Sequence, residues 1–439
     1  MRLLPDADQA LTRDQALPRT VWWLIGARAV NRLGAFSLSF LTVLITTQYG
    51  ASTATAGSIS AAFGLATVPS RLVGGQLADR LGRRRTIVVG LVGCAVAQFG
   101  IVMASSLAMT VVFVVLLGLV FELYEPPSQA MIADAVGPTE RTRAYSLLNA
   151  ALAAAGMGAG LLAAGLGRWD LRQLFVVDAV ACLLCALVVR NALPGDPPRA
   201  VQTAAEAGSG RGSGSGSKVE AQTVPVAVAP WRDSTLLALL AAGTLFALVY
   251  LQIMATLPLV LAHRGLPPAD AGVLFTASAL TIVLGQPLLR LKPLATLSTP
   301  VAFGVGYTLL AAGLAGYSAA HTLGAHLAPT IVWSLGDLIL VGRAYALVAA
   351  LAPAHGTGRY LAVYGTSWGI AGIAAPLIGT QLLQRWGPTA LWLTMSAACL
   401  ALAITQPRLA RTATARASQT AEPSAPAPAP APAPKASSG

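Results

Sequence analysis

Eight ionisable side chains sit inside stretches that are otherwise apolar: Arg28, Arg32, Arg71, Arg343, Glu122, Glu125, Asp178 and Asp337. A charge inside a bilayer costs a few kcal/mol, so it persists when it is paired or lines a wet cavity. Arg28 and Arg32 are four apart, and Glu122 and Glu125 three apart, so on helices each pair projects from one side. Two chemistries are open to this set. It can form a static salt-bridge cluster that locks a helical bundle. Alternatively, Arg32 and Glu122 line a substrate path, and Glu122 or Glu125 takes and releases a proton as its arginine partner moves away. Asp337 and Arg343 are six apart, near opposite sides of a helix, and are not expected to pair with each other. Asp178 reads as a helix-packing residue.

Other chemistries find no support. Cys182 and Cys185 form a C-x-x-C, but it lies in an apolar run with no partner histidine, so both read as small packing residues. His263, His321, His326 and His355 fall at loop ends without metal-ligand spacing. No nucleophile–base pair and no phosphate loop is present. The expectation is a protein that is not an enzyme, with no cofactor and no metal, and with a proton gradient as its energy source. The net charge of +12 has no basic face interleaved with aromatics, so nucleic acid is not an expected partner.

The elements that must carry these charges are membrane helices. The chain has 439 residues, 55% apolar and only 10% charged, where a soluble domain has about 25% charged residues. Apolar runs of about 20 residues, the length that crosses the hydrocarbon core, fall near 20–46, 54–78, 86–105, 108–132, 144–166, 172–191, 234–260, 268–290, 299–319, 325–350, 359–383 and 388–406. The expected fold is an all-α membrane protein of twelve transmembrane helices in two pseudo-symmetric six-helix bundles. Residues 1–19 read as a polar tail, 20–191 as the first bundle, 192–232 as a flexible Gly/Ser-containing linker, 233–406 as the second bundle, and 407–439 as a disordered Ala/Pro-rich tail whose deletion should be tolerated.

Orientation follows from basic residues. The loops on the side of both termini hold most of the 29 Lys and Arg, and the opposite loops only Arg168, Arg172, Arg264 and Arg385. The positive-inside rule then places both termini in the cytoplasm, with the chain multi-pass in the inner membrane. Glycines crowd the fifth helix (Gly156, Gly158, Gly160, Gly165) and the eleventh (Gly365, Gly369, Gly372, Gly379), corresponding positions in the two halves. Small residues let helices approach closely, and such internal symmetry marks repeat-built transporters.

Between the second and third runs stands Gly75-Gln76-Leu77-Ala78-Asp79-Arg80-Leu81-Gly82-Arg83-Arg84-Arg85. Gly75, Asp79, Arg80, Gly82, Arg83 and Arg84, with the two six-helix halves and the long middle loop, resemble the major facilitator superfamily and its hallmark loop. More locally, 133–145, Leu257-Pro258, Gln286-Pro287 and Gly336-Asp337 resemble bacterial multidrug exporters of the drug:proton antiporter group. The group's helix-four arginine has no counterpart, and the fifth helix lacks that group's Gly-Pro.

The resemblance implies alternating access by a monomer that carries a small-molecule substrate in the lipid bilayer. Helices one, four, seven and ten would line the cavity, giving Arg32, Glu122, Tyr250, Gln252, Trp333 and Asp337 as expected lining residues, with Arg28 and Glu125 on the proton pathway. Asp79 would meet the start of helix eleven near Arg359 and act as a gate on the side of the termini. The leading expectation is a proton-coupled exporter of small amphipathic compounds. A transporter of a polar metabolite, or a non-transporting sensor or scaffold on the same fold, stays open beside it.

Overall fold

Long apolar runs become helices here, and side-chain caps mark where three of them begin. Ser52 accepts from the Thr55 amide at 3.1 Å, Ser106 from the Met109 amide at 3.3 Å, and Asp233 from the amides of Thr235 and Leu236. Each satisfies donors that the first turn of a helix leaves open. The computed structural model describes residues 17–34, 36–136, 141–193, 195, 230–292, 296–340, 343–352 and 357–421.

Among the described residues the chain makes twelve helical passes. α1 runs Arg19–Gly34, bends through a 3-10 turn at Ser37–Phe40 and continues as Leu41–Tyr49. α2 is Thr53–Leu81 and α3 Arg83–Met103. α4 comes in two pieces, Leu107–Phe121 and Glu125–Ala135. α5 is Arg141–Leu166, α6 Arg172–Ala192, and α7 Ser234–His263. α8 is Asp270–Gly285, prolonged by a 3-10 turn at Gln286–Arg290, and α9 is Thr299–Ala319. α10 comprises Leu323–Leu340 and Arg343–Leu351. The final stretch Thr357–Ala421 is two helices meeting at Gly387, so α11 is 357–386 and α12 is 388–421.

Two of these junctions depend on glycine. Gly82 has φ 95° and Gly387 φ 76°, a region that side-chain-bearing residues avoid. Each joins two antiparallel passes with almost no loop. The fourth helix, placed over 108–132 with Pro126 and Pro127 as an interruption, breaks at 122–124. Pro126 and Pro127 stand at the start of the second piece, where their missing N–H groups cost nothing.

Two apolar cores form, one in each half. Ile25, Leu91, Leu117 and Phe175 belong to the first; Leu257, Phe303, Trp333 and Trp392 belong to the second. The halves meet along α2 with α11, α5 with α8, and the outer part of α1 with α7. Far-side arginines, the exceptions to the charge bias, have local tasks. Arg264 donates to the carbonyls of Tyr317 (2.7 Å), Ser318 (3.0 Å) and Ala320, capping the end of α9. Arg172 donates to Gln48 Oε1 at 3.0 Å.

The expected disordered tail beginning at 407 is corrected: α12 continues as helix to Ala421, through Pro407. Its Arg416 pairs with Asp233 at 3.2 Å, and Tyr360 donates to the same carboxylate at 3.1 Å, so α7, α11 and α12 are tied at one point. The expected tolerance of deletion therefore changes. Truncation at 407 should lower the thermal midpoint of the purified protein, and Asp233→Ala should cost about 1–2 kcal/mol, the usual loss for an N-cap. Truncation at 421 lies outside these contacts and should leave the midpoint unchanged. Residues 196–229 of the linker and 422–439 lie outside the described residues.

Candidate functional site: a cavity between the halves

The cavity follows from how the halves touch. Thr42 donates to the Ala255 carbonyl at 3.2 Å, the Ala54 amide to Gln384 at 2.8 Å, and Thr276 to the Met157 carbonyl at 3.1 Å. Phe36 stacks on Phe275 with ring centres 5.1 Å apart. Arg168, after α5, pairs at 2.7 Å with Asp270, the first residue of α8. All these contacts lie toward the side opposite the termini, called here the far side.

On the side of the termini the halves stand apart. A side chain built on Gly365 or Gly369 of α11 would meet nothing within 4 Å. Leu65 and Val73 of α2 are exposed. Arg32 is exposed although it lies thirteen residues into α1, about 20 Å at 1.5 Å per residue. A charge at that depth faces water, not lipid. The molecule is therefore closed on the far side and open toward its termini.

At the bottom of this cleft is a cavity of ≈310 Å³. Its wall includes Leu38 and Thr42 of α1, Phe63 and Gly64 of α2, Glu122 of α4, Met254 of α7, and Trp368 and Gly372 of α11. Trp368 packs edge-on against Tyr250 (5.5 Å) and Phe246 (6.3 Å). The wall is apolar and aromatic, with a single acid placed on it by the break in α4.

The charges pair more selectively than spacing alone indicated. Arg28 forms a salt bridge with Glu125 and lies over the Tyr124 ring, 5.4 Å from its centre. Arg71 meets Glu122 at 3.6 Å, and the Glu122 amide donates to Ser70 at 3.0 Å. Arg32 joins neither pair; it lies beside Gly156 of α5 and within electrostatic reach of the Tyr250 phenol. Asp337 is 4% exposed and, among the described residues, has neither an ion pair nor a hydrogen bond. It too lies within electrostatic reach of Tyr250.

Of the six expected lining residues, Glu122 lines this cavity; Arg32, Tyr250 and Asp337 are not among the residues of its wall, and Gln252 and Trp333 turn away from it. Gln252 is fully buried and donates to the Ala375 carbonyl at 2.6 Å, bonding α7 to α11. Trp333 is 1% exposed and donates to Tyr317 at 2.9 Å in the core of the second half. Both face the helix next to them and not the cavity. Three residues were missed. Trp368 follows Gly365 and precedes Gly369 and Gly372, a run of small residues that leaves one side of α11 open. Arg168 and Asp270 sit at opposite ends of two loops, and nothing in their spacing announces a pair.

In the hallmark loop, α2 runs as helix through Asp79 and Arg80 to Leu81. Arg84 donates to the Leu193 carbonyl at 3.0 Å, holding the end of α6. Arg80 and Arg359 are exposed, and Arg83 is half-buried. The side chain of Asp79 and the position of Gly75 against its neighbours lie outside the described residues.

A family model described as Major Facilitator Superfamily matches residues 24–375 and again 253–437. The chain belongs to that family, a class of multi-pass membrane transporters. Among named relatives it is similar to the uncharacterized MFS-type transporter YhjO of Bacillus subtilis, 25% identical over 319 residues, which are 72% of this chain and 74% of that one. It is also similar to the multidrug resistance protein MdtH of Cronobacter sakazakii, 34% identical over 115 residues, 26% of this chain and 29% of that one. Its fold is that of the POT family transporter PepTSo, with a TM-score of 0.71 at 15% identity over 91% of this chain and 99% of that chain.

Proposed function

We propose that this transporter is a proton-coupled exporter of small amphipathic compounds, working by alternating access with both termini in the cytoplasm. The observation that carries the reading is Asp337, a buried carboxylate with no ion pair or hydrogen bond among the described residues, within electrostatic reach of Tyr250, whose ring packs on Trp368 of the cavity wall. A carboxylate with neither a cation nor a hydrogen-bond donor beside it in a bilayer interior is stable there chiefly when it holds a proton, so closing the site and loading a proton go together. Glu122 supplies the acid on the cavity wall itself, held by the long contact to Arg71.

The cavity suits a ligand that is mostly apolar with one charged or polar end. Aromatic and aliphatic walls take the apolar part, and Glu122 or Arg32 orients the end. The partial similarity to MdtH, a protein named for multidrug resistance, supports a drug-like substrate. With the termini in the cytoplasm, the described conformation opens inward, ready to load a compound from the cytoplasm or the inner leaflet.

The test has two arms. Expression in a host lacking its own exporters should raise tolerance to a subset of a broad panel of amphipathic compounds. Inverted membrane vesicles given an imposed pH gradient should accumulate those compounds. Accumulation that ignores the gradient would refute proton coupling, and an unchanged panel would refute the substrate class.

A further inference from the structure

Asp178 lies outside the cavity, inside the first half, and is 3% exposed. Ser37 donates to its Oδ2 at 2.6 Å, and the Cys182 thiol lies 3.8 Å from Oδ1. Every one of these partners is neutral. The other titratable groups around it are the Cys94 thiol of α3 and, farther along the same polar seam, Tyr124 of α4 and Cys185 of α6. Asn31 of α1 links that seam, donating to Cys182 at 3.3 Å and accepting from Tyr124 at 3.0 Å. The nearest charges along it, Arg28 and Glu125, are already paired with each other.

What makes Asp178 more than a packing residue is where Ser37 stands. It is the first residue of the 3-10 turn that bends α1. Its neighbour Phe36 makes the stack on Phe275, Leu38 lines the cavity, and Thr42 just beyond bonds to α7. The Ser37–Asp178 bond therefore pins the segment of α1 that closes the far side.

We infer that Asp178 is a second proton-binding site of the transporter, whose ionised form clamps the bend of α1 and holds the far side closed, and whose protonated form releases it. The inference rests on alternating access, not on the identity of the acid in the cavity. Hydrogen bonds to an ionised acceptor are roughly twice as strong as neutral ones. One proton, taken up from hydronium with release of water, thus weakens the bonds from Ser37 and Cys182 together. A metal cation is a poor fit. Gly34 packs so closely that an added Cβ would lie 2.7 Å from Asp178 Oδ1, and among the described residues no group of three His, Cys, Asp or Glu side chains gathers to hold a metal.

Hydrogen–deuterium exchange of the segment 36–49, in the full chain in nanodiscs and corrected for intrinsic rates, tests this. Exchange in the unaltered protein should rise several-fold between pH 8 and pH 5. Asp178→Asn, a permanently neutral stand-in, should exchange fast at both pH values, and Ser37→Ala should do the same by removing the donor. Asp337→Asn should keep the wild-type dependence. A pH-independent wild type, an Asp178→Asn variant that still responds to pH, or a response to Na+ at fixed pH would overturn the proposal. If Asp178→Asn does not fold, the carboxylic-acid infrared band of the unaltered protein, compared with that of Ser37→Ala, decides whether the acid titrates. Loss of gradient-driven transport with the exchange pattern intact would count against the transport reading alone.

Discussion

Asp337→Asn should reduce uptake driven by a pH gradient at least tenfold in vesicles while leaving exchange of labelled for unlabelled substrate near the wild-type rate. The substitution keeps shape and polarity but removes the proton site. Exchange needs only that the loaded protein open to one side and then the other, and a neutral amide permits that. Net movement against a gradient needs the acid to lose its proton on one side, which an amide cannot do. A tenfold loss corresponds to about 1.4 kcal/mol, well within the several kcal/mol that separate a paired from an unpaired charge in a protein interior. Equal loss of both activities would make Asp337 a structural or substrate-binding residue. Glu122→Gln provides the comparison: its carboxylate is shared with Arg71 at 3.6 Å, so it should alter substrate preference more than coupling.

The sequence carried the fold well because membrane spans are written in length and polarity. The apolar runs expected at 86–105 and 299–319 emerge as Arg83–Met103 and Thr299–Ala319. Where expectation failed, the deciding force was not polarity. Helical register decided that Gln252 and Trp333 turn toward α11 and the second core, which hydropathy does not encode when every face of a helix is apolar. Embedded charges were legible as a set, because each is rare, but their pairing was not. Arg28 with Glu125 and Arg71 with Glu122 depend on rotation of α1, α2 and α4 about their axes. Asp178 shows the limit most clearly. Its type and depth marked it, yet its partner Ser37 is an ordinary serine until α1 bends there.

Gly272→Leu should abolish transport while leaving the protein inserted and folded, by preventing closure of the far side. Gly272 stands at the start of α8 against α5: an added Cβ would meet the Gly160 carbonyl and lie 2.6 Å from the Ala164 amide. Those neighbours are backbone, so they cannot swing aside as a flexible side chain would. In the far-side-open state α5 and α8 separate there, and the leucine fits between them. The variant should therefore accumulate open to the far side. A cysteine at Phe36, whose ring is stacked on Phe275 when closed, should react at least about tenfold faster with an impermeant maleimide in this background, equivalent to a shift of about 1.4 kcal/mol toward the open state. Arg168→Ala removes the bridge to Asp270 without adding bulk. Its side chain is about half exposed, so the bridge contributes about 1 kcal/mol or less, and that variant should show a smaller rise in labelling with transport retained. If Gly272→Leu transported normally, the close approach of α5 and α8 would not be part of the cycle, and far-side closure would have to rest on α2 with α11 and on the bend of α1.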